Sequence, residues 1–123
     1  MEDRKILVIE DNELNMKLVR TLLKLGNFQV IEAVDAETGI QLARNTDPDI
    51  ILMDVQLPGM DGLEATQILK KDPKTQIIPI VALTSYAMTG DKKKALNAGC
   101  DGYITKPINT RTFLDEISRF FRR

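Results

Sequence analysis

Five short apolar runs rich in β-branched residues divide the chain: Lys5–Ile9, Phe28–Ala33, Asp49–Met53, Ile78–Leu83 and Gly102–Ile104. The third and fourth are continuously apolar, the pattern of parallel strands covered on both faces. Pro79 stands near the start of its run, where a missing amide donor is tolerated. Between the runs, apolar positions recur with helical spacing over 13–25, 36–45, 61–71, 89–98 and 110–122, the last running on to the end of the sequence. Asp35 and Asn109 are expected N-caps. Gly26 and Gly99 fall just past helix ends, where a left-handed residue is wanted. Strict strand–helix alternation predicts an α/β domain with a parallel sheet wrapped by right-handed crossovers. With no repeat, low-complexity stretch or linker, residues 1–123 read as one domain.

The first helix is more apolar than one buried stripe requires. Leu14, Met16, Leu18, Val19, Leu22, Leu23 and Leu25 spread over an arc of roughly 200°, where a helix packed on a sheet needs about half of that. Leu18, Leu22 and Leu25 are expected to face the core, with Val19 beside them. Leu14 lies at one edge of the arc, and Met16 and Leu23 lie together at the other. These edge positions are expected to be partly exposed. They are either ordinary exposed apolar side chains or a docking patch for a partner's helices.

Four of the five strands end in chemistry. The first run leads into Glu10 and Asp11, the third into Asp54, the fourth into Thr84 and Ser85, and the fifth through Thr105 into Lys106 and Pro107. In an open parallel sheet, ligands sit beyond the carboxyl ends of the strands, so these groups converge if the strands are neighbours. Three crowded carboxylates repel one another unless a cation neutralises them. Mg²⁺ suits such a set, because it takes carboxylate, carbonyl and water oxygens and bridges readily to phosphate. Lys106 then supplies a point charge for one phosphoryl oxygen and Thr84 a hydroxyl for another. Asp54 is left as an attacking carboxylate of the kind that forms an aspartyl phosphate.

Composition narrows the field. Histidine is absent and Cys100 is the one cysteine, which excludes an internal disulfide, a Ser-His-Asp or Cys-His triad and a His-ligated zinc site. A single cysteine fits a cytoplasmic protein, and Cys100 itself reads as a small buried hydrophobe. The formal net charge of −1 gives no global attraction to nucleic acid or an anionic membrane, and Lys92, Lys93 and Lys94 or Arg122 and Arg123 form only short basic runs. No apolar run approaches a membrane span, and the first residues lack a signal-peptide core. With no DNA-binding segment after the last helix, direct nucleic-acid binding is not expected.

Glu10-Asp11-Asn12, Ile51-Leu52-Met53-Asp54, Leu57-Pro58-Gly59-Met60-Asp61-Gly62, Ala82-Leu83-Thr84 and Tyr103-Ile104-Thr105-Lys106-Pro107 together resemble the motif set of response-regulator receiver domains, over essentially the whole chain. The stretches 10–18 and 85–91 look most like single-domain regulators of the DivK type and receivers of hybrid kinases. The resemblance implies a doubly wound, five-stranded parallel sheet of flavodoxin-like order 2-1-3-4-5 with five helices. It implies two-component signalling, with Asp54 taking a phosphoryl group from the phosphohistidine of a histidine kinase or histidine phosphotransfer protein. Asp11, Asp54 and the Gln56 carbonyl would hold Mg²⁺, with Glu10 acting through a bound water. Thr84 and Lys106 would contact the phosphoryl group, Tyr103 would follow Thr84 in a switch, and the Lys106–Pro107 bond would be cis. The helix 4, strand 5 and helix 5 surface would present the change to a downstream protein. The Glu-Asp acid pair replaces the commoner Asp-Asp, and Gln56 and Tyr86 occupy places that tune phosphoryl lifetime in this family.

Three other readings compete. A phosphatase with an Asp nucleophile needs a general acid two residues after Asp54, where this chain has Gln56. A flavin-binding module needs an anion-binding loop after the first strand, where Glu10 and Asp11 would repel phosphate. A phosphorylation-independent interaction module of the same fold is the closer rival.

Overall fold

The computed structural model describes residues 4–84 and 89–121, the side chains of 89–92 excepted. Its elements alternate without exception: β1 (Lys5–Ile9), α1 (Glu13–Leu25), β2 (Gln29–Ala33), α2 (Ala36–Thr46), β3 (Ile50–Asp54), α3 (Gly62–Lys71), β4 (Ile80–Thr84), α4 (Thr89–Ala98), β5 (Gly102–Thr105) and α5 (Phe113–Ser118). The strands form one parallel sheet in the order β2-β1-β3-β4-β5. Strand alternation sends Leu7, Ile9, Ile51, Met53, Ile80 and Ala82 into a layer closed by α2, α3 and α4. Ile6, Val8, Ile50, Leu52, Val81, Leu83 and Ile104 enter the opposite layer with α1 and α5. Chain order reverses between β1 and β3, and the crevice beyond that point is where such folds bind ligands.

Caps explain most helix ends. Asn12, Asp35 and Asp61 each accept a hydrogen bond from the backbone amide three residues on, at Asn15, Thr38 and Glu64. Gly99 takes φ +112°, as expected past α4, with the amides of Gly99 and Cys100 closing onto Leu96 and Ala95. At α1 the left-handed residue is Asn27 (φ 65°) and not Gly26, whose φ is −86°. Gly26 is needed for space instead: a Cβ there would lie 2.9 Å from both Leu114 Cδ2 and Phe28 Cε2.

Three further expectations are corrected. Pro79 precedes β4 instead of belonging to it, and its carbonyl accepts the Ile51 amide at 3.0 Å. Asn109 caps no α-helix. Its side chain accepts the Arg111 amide at 3.0 Å in a turn, and α5 starts at Phe113 behind Thr112. Nor does α5 run on to the end of the sequence, because it stops at Ser118 and tightens through bonds to the third residue back. The cause is aromatic packing. Phe120 lies against Gly102, Phe121 stacks on Phe28 with ring centroids 5.3 Å apart, and the Arg4 guanidinium lies over the Phe121 ring at 4.3 Å.

The face assignment of α1 is also corrected. Met16, Val19, Leu22 and Leu23 fill the core, Met16 at 4% exposure and Leu23 at 0%, so neither Met16 nor Leu23 is an edge residue open to a partner. Leu14 is 78% exposed, as expected of an edge position, but Leu25 is 72% exposed and Leu18 lies at the surface as well. Seven apolar residues spread over such an arc leave the phase of the helix undetermined, and packing on the sheet and α5 chose a stripe centred on Val19 and Leu23. No described helix is long and apolar enough to cross a membrane.

Candidate functional site

The carboxyl ends of β1, β3, β4 and β5 bring together Glu10, Asp11, Asp54, Thr84 and Lys106. Asp54 is the last residue of β3 and Thr84 the last of β4. Both are buried, as is Glu10, at 1% exposure, while Asp11 stands at the solvent edge. Glu10 is anchored through its amide to the Ala33 carbonyl (3.0 Å), and its carboxylate accepts the Asn12 amide at 3.1 Å. The Gln56 amide donates to Asp54 Oδ1 at 3.0 Å, so the loop after β3 grips the carboxylate it follows.

Lys106 is fixed at both ends. Its amide donates to the Thr84 carbonyl at 2.7 Å, and the following peptide bond to Pro107 is cis, as expected. Its ammonium lies 2.9 Å from Glu10 Oε1 and 3.4 Å from Asp54 Oδ2. A backbone bond thus ties the position of the cation to that of the hydroxyl-bearing strand end. Tyr103 is half-buried in the α2–α3–α4 layer, on the face of the sheet shared by Ala82 and Thr84. Tyr86 and Ser85 lie outside the described residues.

Burial first, and then a hydrogen bond with the Glu10 carboxyl, push Asp54 up to about 7. Burial also opposes ionisation of Glu10, but the Asp54 carboxyl and the Lys106 ammonium beside it outweigh burial and hold Glu10 below its usual range. Below about pH 7 the pair therefore shares one proton. Two buried carboxyls at this spacing cannot both ionise cheaply beside a single lysine.

The donor set fits a small hard cation. One carboxylate oxygen from each of Glu10, Asp11 and Asp54 lies within 4.8 Å of the others, close to the roughly 4.2 Å that separates opposite ligands of an ion with bonds of about 2.1 Å, so a small closing movement of the carboxylates would suffice to hold it. Glu10 Oε1 is fully buried and accepts no aligned hydrogen bond despite the nearby Lys106. Such an oxygen is costly to bury unless a cation or water completes its shell.

The sequence places Asp61 and Gly62 in a family-like motif without assigning either a role, and it does not single out Thr66; in the structure Asp61 caps α3, Gly62 abuts the Asp54 main chain and Thr66 bonds to Gly62. Asp61 followed three residues later by Glu64 carries a helix-start signal that could have found the first of them.

The response regulator receiver domain family matches residues 6–118. The polar-differentiation response regulators DivK of Brucella ovis and Brucella abortus are each 41% identical over 117 residues, spanning 95% of this chain and 95% of theirs. The receiver domain of the sensor histidine kinase PA1611 from Pseudomonas aeruginosa, solved with a magnesium ion in its active-site cleft, superposes with a TM-score of 0.90 at 30% identity, covering 97% of this chain and 98% of that one. Vibrio cholerae CheY4 superposes at 0.92 with 25% identity, over 98% and 100% of the two chains. The family match over residues 6–118, the identity to the DivK regulators along 95% of the chain and the β2-β1-β3-β4-β5 sheet place the chain in the response regulator receiver family of two-component signalling.

Proposed function

We propose that residues 1–123 act as one cytoplasmic receiver unit whose Asp54 accepts a phosphoryl group from the phosphohistidine of a histidine kinase or histidine phosphotransfer protein. The observation that carries this reading is the meeting of Asp54 with Glu10, Asp11, Thr84 and Lys106 at neighbouring strand ends. An Asp54 oxygen attacks phosphorus as the bond to the imidazole nitrogen breaks, and the imidazole leaves with the bonding electrons. Thr84 donates a hydrogen bond to one phosphoryl oxygen and Lys106 pairs with another. Mg²⁺ would be held by Asp11, Asp54 and the Gln56 carbonyl, with Glu10 reaching it through water, and would neutralise charge on the attacking and transferred oxygens. The domain is a signalling device and not a turnover enzyme, although the same groups assist its own phosphorylation and dephosphorylation.

The new phosphoryl group adds about −1.5 to −2 charges. Drawing Thr84 toward it biases the end of β4, with Tyr103 following, and alters the α4–β5–α5 surface met by a downstream protein. Neither nucleic acid nor membrane has a part in this reading. The exposed side of α1, led by Leu14 one turn beyond Asp11, is the docking face for the histidine-bearing partner.

Incubation with acetyl phosphate and Mg²⁺ should add one hydroxylamine-labile phosphoryl group, and Asp54→Asn should remove it. Undiminished labelling of that variant, or of the parent in excess chelator, would contradict the assignment. An unlabelled parent with an unchanged surface would favour a phosphorylation-independent module.

A further inference from the structure

We propose that Gly62 and Thr66 form a buried seat for the backbone of Asp54, and so act as positioning residues for the phosphoacceptor and the cation beside it. This inference rests on the reading above and names residues through which that site is aligned. A Cβ built on Gly62 would lie 2.2 Å from the Asp54 carbonyl oxygen and 3.0 Å from both its carbonyl carbon and Met53 Cγ. The obstructing atoms are mostly main chain of a central strand, which continues into a 3.1 Å bond from the Val55 amide to the Leu83 carbonyl. They cannot swing aside as the tip of a long side chain would. Gly59, in the same loop, is the opposite case. Its φ of +74° requires glycine, but nothing lies within 4 Å of its would-be Cβ. The demand at Gly62 is for space against Asp54.

Two hydrogen bonds hold Gly62 in place. Its amide donates to the Val55 carbonyl at 3.1 Å, closing residues 55–62 into a loop. Its carbonyl accepts the Thr66 hydroxyl at 2.8 Å, and Thr66 is fully buried. A β-branched hydroxyl residue is a poor choice for a buried helix interior on packing or propensity grounds. At Thr66 it does what valine could not, by fixing the residue that abuts Asp54. The closed loop carries Gln56, whose amide holds the Asp54 carboxylate from the other side. Asp54 is thus gripped at its main chain by α3 and at its side chain by the loop that α3 closes. Phosphoryl transfer depends on positioning to within a fraction of an ångström, so a small shift at this seat is felt at the reacting oxygen.

The test compares Gly62→Ala, Thr66→Val, Thr66→Ser and Val19→Ala, the last a core variant remote from the loop. Two readouts are used: Mg²⁺ affinity by calorimetry, and hydrogen exchange of the Gln56 amide in metal-free protein after subtraction of global unfolding. Gly62→Ala should weaken Mg²⁺ binding and speed Gln56 exchange by about tenfold or more. Thr66→Val should move both about threefold the same way, and Thr66→Ser should restore them. Val19→Ala should lower the melting temperature but leave both readouts at parent values. If Gly62→Ala and Thr66→Val change only thermal stability, as Val19→Ala does, the seat is purely structural and the proposal fails. Should Gly62→Ala not fold, the Thr66 pair decides alone. A parent that binds no Mg²⁺ and takes no phosphoryl group defeats the functional reading, while Gln56 exchange still decides the seat.

Discussion

At the scale of single residues, Asp54 dominates the chemistry of the site and also strains the metal-free fold. In the unfolded chain it titrates near 3.9, at about the usual value for an aspartate, and in the metal-free fold near 7. Between those values the folded state holds an extra proton. Its contribution to stability is full below the unfolded value and is lost as pH rises through 7. Above that pH a buried carboxylate faces Glu10, and among the described residues Lys106 is the one cation paired with both. Asp54→Asn should therefore raise the melting temperature of metal-free protein at pH 8 by about 4 °C or more, and change it little at pH 4. A cation must displace the same proton, so Mg²⁺ affinity should rise on the order of tenfold between pH 6 and pH 8, with proton release measurable by calorimetry in buffers of different ionisation enthalpy. Equal affinity at both pH values would mean that Asp54 is already ionised in the free protein.

At the scale of elements, strands and helix starts were legible because their signals are local. The continuous apolar runs at β3 and β4, the acids that follow β1 and β3, and the Asp35 cap are each written within a few residues. The burial phase of α1 is not local. With apolar residues on about half the helix circumference, only contact with the sheet distinguishes Leu23 from Leu18. The early end of α5 depends on Phe120 meeting Gly102 and Phe121 meeting Phe28, partners 18 and 93 residues away in sequence. The role of Gly62, which the sequence shows only as part of a motif, was hidden for the same reason, since its constraint is a contact with the main chain of another element. The corrected face of α1 has a consequence for docking. Leu14→Ser with Leu18→Ser should leave stability within about 0.5 kcal/mol of the parent and acetyl phosphate labelling unchanged, while slowing transfer from a phosphohistidine protein severalfold. Leu23→Ser should instead cost about 3 kcal/mol or more, because it puts a hydroxyl in a dry cavity. Unaltered transfer in the Leu14 and Leu18 double variant would remove α1 from the docking surface.

At the scale of the whole molecule, the sheet separates chemistry from the frame that carries it. The reacting groups all lie beyond the carboxyl ends of the strands. The opposite edge is held by different interactions: the Lys5 amide to Asp49 at 2.7 Å, the Lys5 ammonium to the Thr46 carbonyl at 2.7 Å, and the stack of Arg4, Phe121 and Phe28. That stack places residues 4 and 121 side by side on the edge farthest along the strands from Asp54. Positions that meet in this way can be joined. A circular permutant linking them through about six glycine and serine residues, which span roughly 13 Å, and opened between the exposed Pro73 and Lys74 should fold and take up phosphoryl groups at close to the parent rate. Loss of labelling in a well-folded permutant would show that the closed edge is felt at the open one. Retention would mean that the chain can be spliced into a host protein through this edge, with its acidic crevice still facing outward to any incoming phosphohistidine.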